Sequence, residues 1–232
     1  MDEKKIIPME GMRKIIAERM KSSLDQNAQL THQVQVDMLA ATQLRSRLKE
    51  DGKKVSFNDI VLAAVTHALI DYPVMNSEIT AEGIWIKDFV NIGIAVALPE
   101  GLIVPNVKQA QSMDLFQLSA AAADLTGRAR EGKLRASEYR KGTFTVSNLG
   151  MMGIDNFVAI INAPEAGILA VGKITDTPVV RNNEICIRPM MTLTLSYDHR
   201  VMDGEPAARF LMQVKTNLED PERLLNAKQS PA

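Results

Sequence analysis

The chain switches repeatedly between a helical and an alternating hydrophobic period, and the switch points divide it into elements. "GMRKIIAERMKSSL" sets Met12, Ile15, Ile16, Arg19 and Met20 at helical spacing with charges on the other face, which predicts an amphipathic helix with a solvated basic side. "LTHQVQVDML" alternates as a strand, and "LAATQLRSRLKEDG" returns to the helical period and closes at Gly52. "SFNDIVLAAVTHALIDYP" opens on a capping pair, Ser56 with Asp59 three residues on, and must stop before Pro73. Its middle is so apolar that this helix has to be nearly buried, with His67 as a satisfied core histidine. "GIWIKDFVNIGIAVAL" predicts two strands around a turn, and "GLIVPNV" another after the Pro99–Gly101 turn. "DLFQLSAAAADLTGRAREGKL" is an amphipathic helix with Asp114 placed to cap it.

From Thr143 the pattern is mostly strand: "TFTVS", "NFVAIIN", "GILAVGKI", "TPVVRNNEICIRP" folded at an Asn182–Asn183 turn, and "MTLTLSYD". A last helix begins near Pro206, and "DPERLL" gives a short capped turn. Several helices beside a strand-rich second half predict a two-layer α/β sandwich. The strands lack the regular alternation of a doubly wound fold. There is no internal repeat, low-complexity segment or interdomain linker, so one domain is expected.

Composition narrows the function classes. The net charge is −1 with Lys and Arg spread along the chain, which excludes the basic cluster of a nucleic-acid footprint. The single cysteine, Cys186, rules out a disulfide framework or thiolate-rich metal site, and its place in "EICIRP" reads as a packed strand thiol. "MDEKKIIPME" is charged rather than signal-like, and no apolar run reaches membrane-span length. The expectation is a soluble cytoplasmic protein of a bacterium, or a mitochondrial-matrix protein of a eukaryote.

Three stretches carry candidate chemistry. "GILAVGK" matches the start of a phosphate loop, but Ile174 follows where a hydroxyl is needed and the intervening residues are strand formers. "SNLGMMG" places two glycines three apart after a strand, with Ser147 at the strand end; alone this is an ordinary sharp turn. "SYDHRVMDGEP" crowds Asp198, His199, Arg200 and Asp203 together. His199 there reads as a base, a metal ligand short of partners, or part of a surface ion patch in which Arg200 pairs with an acid.

The combination resolves the choice. H-x-x-x-D-G after a strand, with S-x-x-G-x-x-G some fifty residues upstream, resembles the catalytic domain of the dihydrolipoamide acyltransferases, the core components of 2-oxoacid dehydrogenase complexes. "GMRKIIAERM", "VNIGIAVALPEGLIVPNV", "GTFTVSNLGMMGIDNFVAIINAPEAGILAVGKI" and "LSYDHRVMDGEPAARFL" carry the resemblance in order over nearly the whole chain. It implies a chloramphenicol acetyltransferase-like sandwich with a mixed sheet and helices on one side. Residues 1–8 would be a flexible segment, 9–226 the catalytic domain and 227–232 a polar tail.

It further implies that His199 is the active-site base, Asp203 its accompanying acid and Ser147 the hydroxyl that stabilises the oxyanion. Arg13 or Arg19 is the expected partner of a buried, structural Asp203. Arg45, Asn76 and Ser77 are the implied coenzyme A contacts. The substrates implied are coenzyme A and dihydrolipoamide, with no metal, and acetyl is the expected acyl group ahead of branched-chain and succinyl groups. A small-molecule O-acetyltransferase and a mainly scaffolding core are the competing classes. The implied assembly is a homotrimer with Ser147 and His199 meeting across subunits. Trimers would join into a 24-subunit cage through "DPERLL", capped by Asp220, with Leu224 and Leu225 as an apolar knob. The lipoyl domain, and the regions that would bind the decarboxylase and dihydrolipoamide dehydrogenase components, have no counterpart in this sequence.

The residue types fit that chemistry. A thiol with a pKa near 8.5 is only a few per cent ionised at pH 7, so thioester exchange needs a base. Histidine can take the proton and return it to the departing thiolate. The tetrahedral oxyanion needs a fixed donor, which a serine hydroxyl supplies. Both thiols come from substrates, so the enzyme needs no nucleophile of its own.

Overall fold

The computed structural model describes residues 6–99 and 101–226. The expected tail at 227–232 lies outside them, as do residues 1–5 of the expected N-terminal segment. Helix α1 (Gly11–Gln26) leads into β1 (Gln29–Asp37), α2 (Leu39–Glu50) and α3 (Phe57–Asp71). The Ser56 hydroxyl accepts from the Asp59 amide while the Asp59 carboxylate accepts from the Ser56 amide, so the capping box forms as the spacing predicts. Asp114 and Gln117 do the same for α4 (Leu115–Arg130).

Helix α3 is buried continuously from Asp59 to Leu69. It can be apolar all round because α2, α4 and α5 (Gly204–Glu219) surround it on the sheet. Each aliphatic side chain taken fully out of water there contributes about 1.5–3 kcal/mol. Polar pins fix its rotation: Ser119 donates to Asp59, and Asn217 of α5 donates to the Ala64 carbonyl.

The remaining strands are β2 (Ser77–Thr80), β3 (Gly83–Ile86), β4 (Ile92–Ile94), β5 (Val96–Leu98), β6 (Gly101–Ile103), β7 (Asn106–Val107), β8 (Phe144–Asn148), β9 (Gly167–Arg181) and β10 (Glu184–Asp198). Five of them join β1 in a six-stranded mixed sheet of order β1-β10-β9-β8-β4-β7. Only β8 pairs in parallel, with β4 on one side and β9 on the other. β2 with β3, and β5 with β6, make two small separate ladders. The stretch expected to hold two strands therefore holds three, in different sheets, and β2 was not foreseen.

β9 and β10 form the expected hairpin, with "GILAVGKI" and "MTLTLSYD" continuous with its two arms rather than separate strands. Asn182 and Asn183 turn it with φ of 52° and 64°, the left-handed pair that a two-residue hairpin loop needs. Pro178 and Pro189 lie within it, and a proline is tolerated where its nitrogen points away from the partner strand.

The stretch "NFVAIIN" forms no strand. It crosses the face of the sheet opposite α2, α3, α4 and α5, packing Ala159 and Ile161 against Ile168 and Ala170. Side chains replace ladder bonds: Ser23 donates to the Ile161 carbonyl at 2.6 Å, and Gln29 donates to the Ala159 carbonyl at 3.1 Å. The "GILAVGK" glycines lie in strand β9, which disposes of the phosphate-loop reading. A Cβ at Gly172 would stand 1.9 Å from the Asp155 carbonyl oxygen, so the "SNLGMMG" turn packs onto β9 only because residue 172 has no side chain.

Candidate active site

His199 follows directly on β10. The strand is anchored where it ends: Gln29 and Asp198 are its last pair with β1, and the His199 amide donates to the Ala28 carbonyl at 2.9 Å. Asp198 is buried and organises the turn. Its carboxylate accepts from the Ala28 amide at 3.2 Å, the Arg200 amide at 3.0 Å and the Arg200 guanidinium at 2.6 Å. Burial by itself would raise the Asp198 pKa, but the hydrogen bonds from Arg200 and Ala28 outweigh it and hold the carboxyl below its ordinary range. The ion patch and His199 are therefore neighbours. Arg200 neutralises Asp198, while the His199 side chain stays 45% exposed. Sequence reading passed over Asp198 because two acids flank one histidine and only burial separates their roles.

Asp203 does not occupy the expected buried pair. It is the N-cap residue of α5, its side chain is 86% exposed, and its carboxylate stands 3.7 Å from His199 Nδ1, too far for a hydrogen bond. Arg19 instead donates to Asn162 Oδ1 at 3.1 Å and to the Ala163 carbonyl. The structural acid of this segment is Asp198.

Ser147 lies on β8 with Thr145, on the face away from the helices. Val146 and Asn148 alternate to the opposite face and line a cavity of about 900 Å³ between the sheet, α2, α3 and α4. Arg45, Lys49, Lys53, Lys54 and Arg130 give that cavity a basic lining, with Ile94 and Val96 among its apolar walls. Arg45 is held over the Phe57 ring at 4.7 Å. Its neighbours Lys53 and Lys54 were legible as the dibasic step in "DGKKVSFND" but were not singled out. Asn76 and Ser77 do not line this cavity: both are buried, Asn76 donating to the Lys87 and Phe89 carbonyls and Ser77 to the Val74 carbonyl.

One chain does not bring Ser147 and His199 together. Ser147 pairs with Ala170, and Ala170 pairs with Thr194, which puts His199 five residues further along β10 and two strands over. That is roughly 16 Å along the strands and about 10 Å across them. His199 does not line the basic cavity either.

Residues 1–226 match the family model of the 2-oxoacid dehydrogenase acyltransferases (catalytic domain). The chain belongs to that family. It is 42% identical over 224 residues to a dihydrolipoyllysine-residue succinyltransferase component of the 2-oxoglutarate dehydrogenase complex from Bartonella vinsonii subsp. berkhoffii, covering 94% of this chain and 54% of that one. A dihydrolipoyllysine-residue acetyltransferase component of the acetoin cleaving system from Bacillus subtilis is 39% identical, with 94% and 56% covered. The chain thus spans about half the length of these relatives.

Among solved structures, the Azotobacter vinelandii dihydrolipoamide acetyltransferase superposes with a TM-score of 0.91 at 33% identity, over 96% of this chain and 94% of that one. Chloramphenicol acetyltransferase, at 19% identity and a TM-score of 0.55 over 93% and 100% of the chains, shares the fold. The two-layer α/β architecture, with its mixed sheet, is that of this family.

A buried acid, Glu165, ties the strand that carries Ser147 to the segment before β9. Glu165 accepts from the Thr145 hydroxyl at 2.5 Å and from Asn162 Nδ2 at 3.0 Å. Thr145 shares its strand face with Ser147. Burial pushes the Glu165 pKa up to about 7, since its two neutral donors only partly offset the loss of water. The sequence signal was a lone acid inside the apolar run "NAPEAGILAV".

The folded-state pKa lies above the ordinary 4.5, so between those values the native state holds a proton that the unfolded chain has lost. Stability is expected to fall by about 3 kcal/mol as pH rises from about 4.5 to about 7, and to change little through this group above that. Glu165→Gln should remove that part of the slope. Denaturant unfolding at pH 5 and pH 8, at one protein concentration, checks it: equal pH dependence in both proteins would show Glu165 ionising as in water.

Proposed function

We propose that this chain is the acyl-transferring core of a 2-oxoacid or acetoin dehydrogenase complex, moving an acyl group between dihydrolipoamide and coenzyme A. The carrying observation is the separation of Ser147 from His199 within one chain, with each partly exposed at a different edge of the fold. A second copy would complete each site, His199 from one subunit facing Ser147 of the next. The Azotobacter protein supports the residue choice, because its description names a serine, a histidine and an asparagine in the catalytic mechanism. There the serine stands 52 residues before the histidine and the asparagine four after it; Ser147, His199 and Asp203 keep those intervals, with aspartate in place of asparagine.

In this reading His199 takes the proton from the S–H of one substrate, and its sulfur attacks the thioester carbonyl of the other. The Ser147 hydroxyl of the neighbouring subunit donates to the resulting oxyanion. Collapse breaks the original C–S bond, and His199 returns the proton to the departing thiolate. The basic cavity holds coenzyme A, its phosphates meeting Arg45, Lys53, Lys54 and Arg130. The lipoyl arm, carried by a separate domain, approaches from the other end.

The assembly unit is a homotrimer. Exposed apolar side chains favour subunit contacts: Ile84, Trp85 and Ile86 on β3, Met151 and Met152 beside β8, and Ile185 and Ile187 on the hairpin. The expected cage knob is reduced, because Leu224 is fully buried in its own chain and Asp220 pairs with Arg223 rather than capping the turn. Leu225 alone remains partly exposed for a contact between trimers.

The acyl group is read as acetyl, from the likeness of "SNLGMMGIDNF" to acetyl-transferring members. A panel of acetyl-, succinyl- and branched acyl-CoA with dihydrolipoamide, and with a hydroxyl acceptor in parallel, tests both levels. Acetyl-CoA is expected to lead in kcat/KM by at least about tenfold, or 1.4 kcal/mol. A succinyl-CoA lead would replace the acyl assignment, and transfer only to the hydroxyl would replace the reaction.

A further inference from the structure

We infer that His32 and Tyr197 form a positioning pair for the imidazole of His199, an inference that rests on the acyl-transfer reading of that residue. Across β1 and β10, Leu30 is paired with Tyr197, so His32, two residues on, shares its face and lies diagonally opposite the phenol. The Tyr197 hydroxyl stands 3.4 Å from His32 Nε2, and the two rings meet edge-on at 5.2 Å. On its other side the same phenol lies along the His199 imidazole, with centroids 6.2 Å apart and planes inclined by 28°. Tyr197 is fully buried, and His199 is not. The phenol therefore joins a residue held in the sheet to the exposed side chain that does the chemistry.

Two further observations single the pair out. The first is Gly204, the residue after Asp203 and the first of α5. A Cβ built there would lie 3.7 Å from the Tyr197 hydroxyl and 3.8 Å from His32 Cε1, so the start of α5 closes directly over the pair. The second is His32 Nδ1, which is buried and without a partner among the described residues. Such an atom costs about 1–3 kcal/mol, which an apolar side chain at position 32 would avoid.

The turn is already held, because the Asp198 and His199 amides donate to the Ala166 and Ala28 carbonyls and the Ala28 and Arg200 amides donate to the Asp198 carboxylate. What His32 adds is a fixed rotation of the Tyr197 ring, and with it the surface against which His199 rests.

Tyr197→Phe and His32→Leu are each expected to lower kcat about tenfold, the size of a small misplacement of a reacting group, with KM for acyl-CoA and dihydrolipoamide unchanged. The double variant should be no slower than either single, because the two act as one unit. His32→Gln, whose amide can reach the position of Nε2, should recover most of the rate. Thermal midpoint and assembly size serve as folding controls. If His32→Leu fails to fold, Tyr197→Phe, which removes one oxygen, carries the test.

An unchanged kcat in Tyr197→Phe, or losses that multiply in the double variant, would overturn the inference. Should the unmodified protein transfer no acyl group, the function reading fails separately, and the pair is then read by NMR. The chain has three histidines. The His199 ring signals should move in His32→Leu as they do in Tyr197→Phe; signals that ignore residue 32 would end the proposal.

Discussion

Replacing His199 by alanine is expected to lower kcat by about 10²–10⁴, with thermal stability and assembly size unchanged. The large kinetic effect follows from the proposed reaction, in which nucleophile and leaving group are both thiols that must exchange one proton at neutral pH. The small structural effect follows from the site. The imidazole is partly exposed, lies 3.7 Å from the Asp203 carboxylate, beyond hydrogen-bond distance, and leaves the turn to be held by Asp198. Changes at such positions usually stay within about 0.5 kcal/mol. Steady-state kinetics on variant protein of native size and thermal midpoint gives the answer, and turnover near that of the unmodified protein would remove His199 from the role of base. Asp203→Ala, being solvent-exposed here, should likewise leave stability nearly untouched.

Ser147→Ala is expected to cost about 10²–10³ in kcat with KM little changed, because the hydroxyl meets charge that exists only in the transition state. Ser147→Thr should keep much of the rate. The decisive form of the experiment mixes chains. Ser147 and His199 of one chain stand roughly 16 Å apart along the strands, and in the proposed trimer each site takes one residue from each of two subunits. Oligomers assembled from Ser147→Ala and His199→Ala chains together would then contain some sites with both residues intact, and should regain activity that neither variant has alone. Mixed oligomers as inactive as the separate variants would place both residues in one chain's site.

The elements were legible because their signals are local. Ser56 with Asp59, Asp114 with Gln117 and Asn182 with Asn183 act through bonds made within a few residues, and each forms as its sequence requires. "NFVAIIN" had strand composition and no strand partner; Gln29 and Ser23, more than a hundred residues away, satisfy its backbone instead. Leu224 had the composition of an exposed knob, yet the apolar surroundings of α3 and α5 bury it. In the proposed site, His199, Ser147 and Arg45 follow from the family resemblance, and Arg45 lines the basic cavity. Asn76 and Ser77 could not be told from cavity residues, since buried and ligand-facing polar side chains look alike in a sequence.

The sequence by itself determined the helices with the Ser56 and Asp114 caps, the long hairpin's turn and the α/β class. Each of these depends on side-chain type and spacing along the chain. Only the tertiary structure decided the strand order, the role of Asp198 in place of Asp203, the buried proton of Glu165, and the distance that keeps Ser147 from its own His199. Those depend on burial and on pairing between distant segments, where the free energy of a charge or an unpaired polar group is set by what surrounds it rather than by its neighbours in the chain.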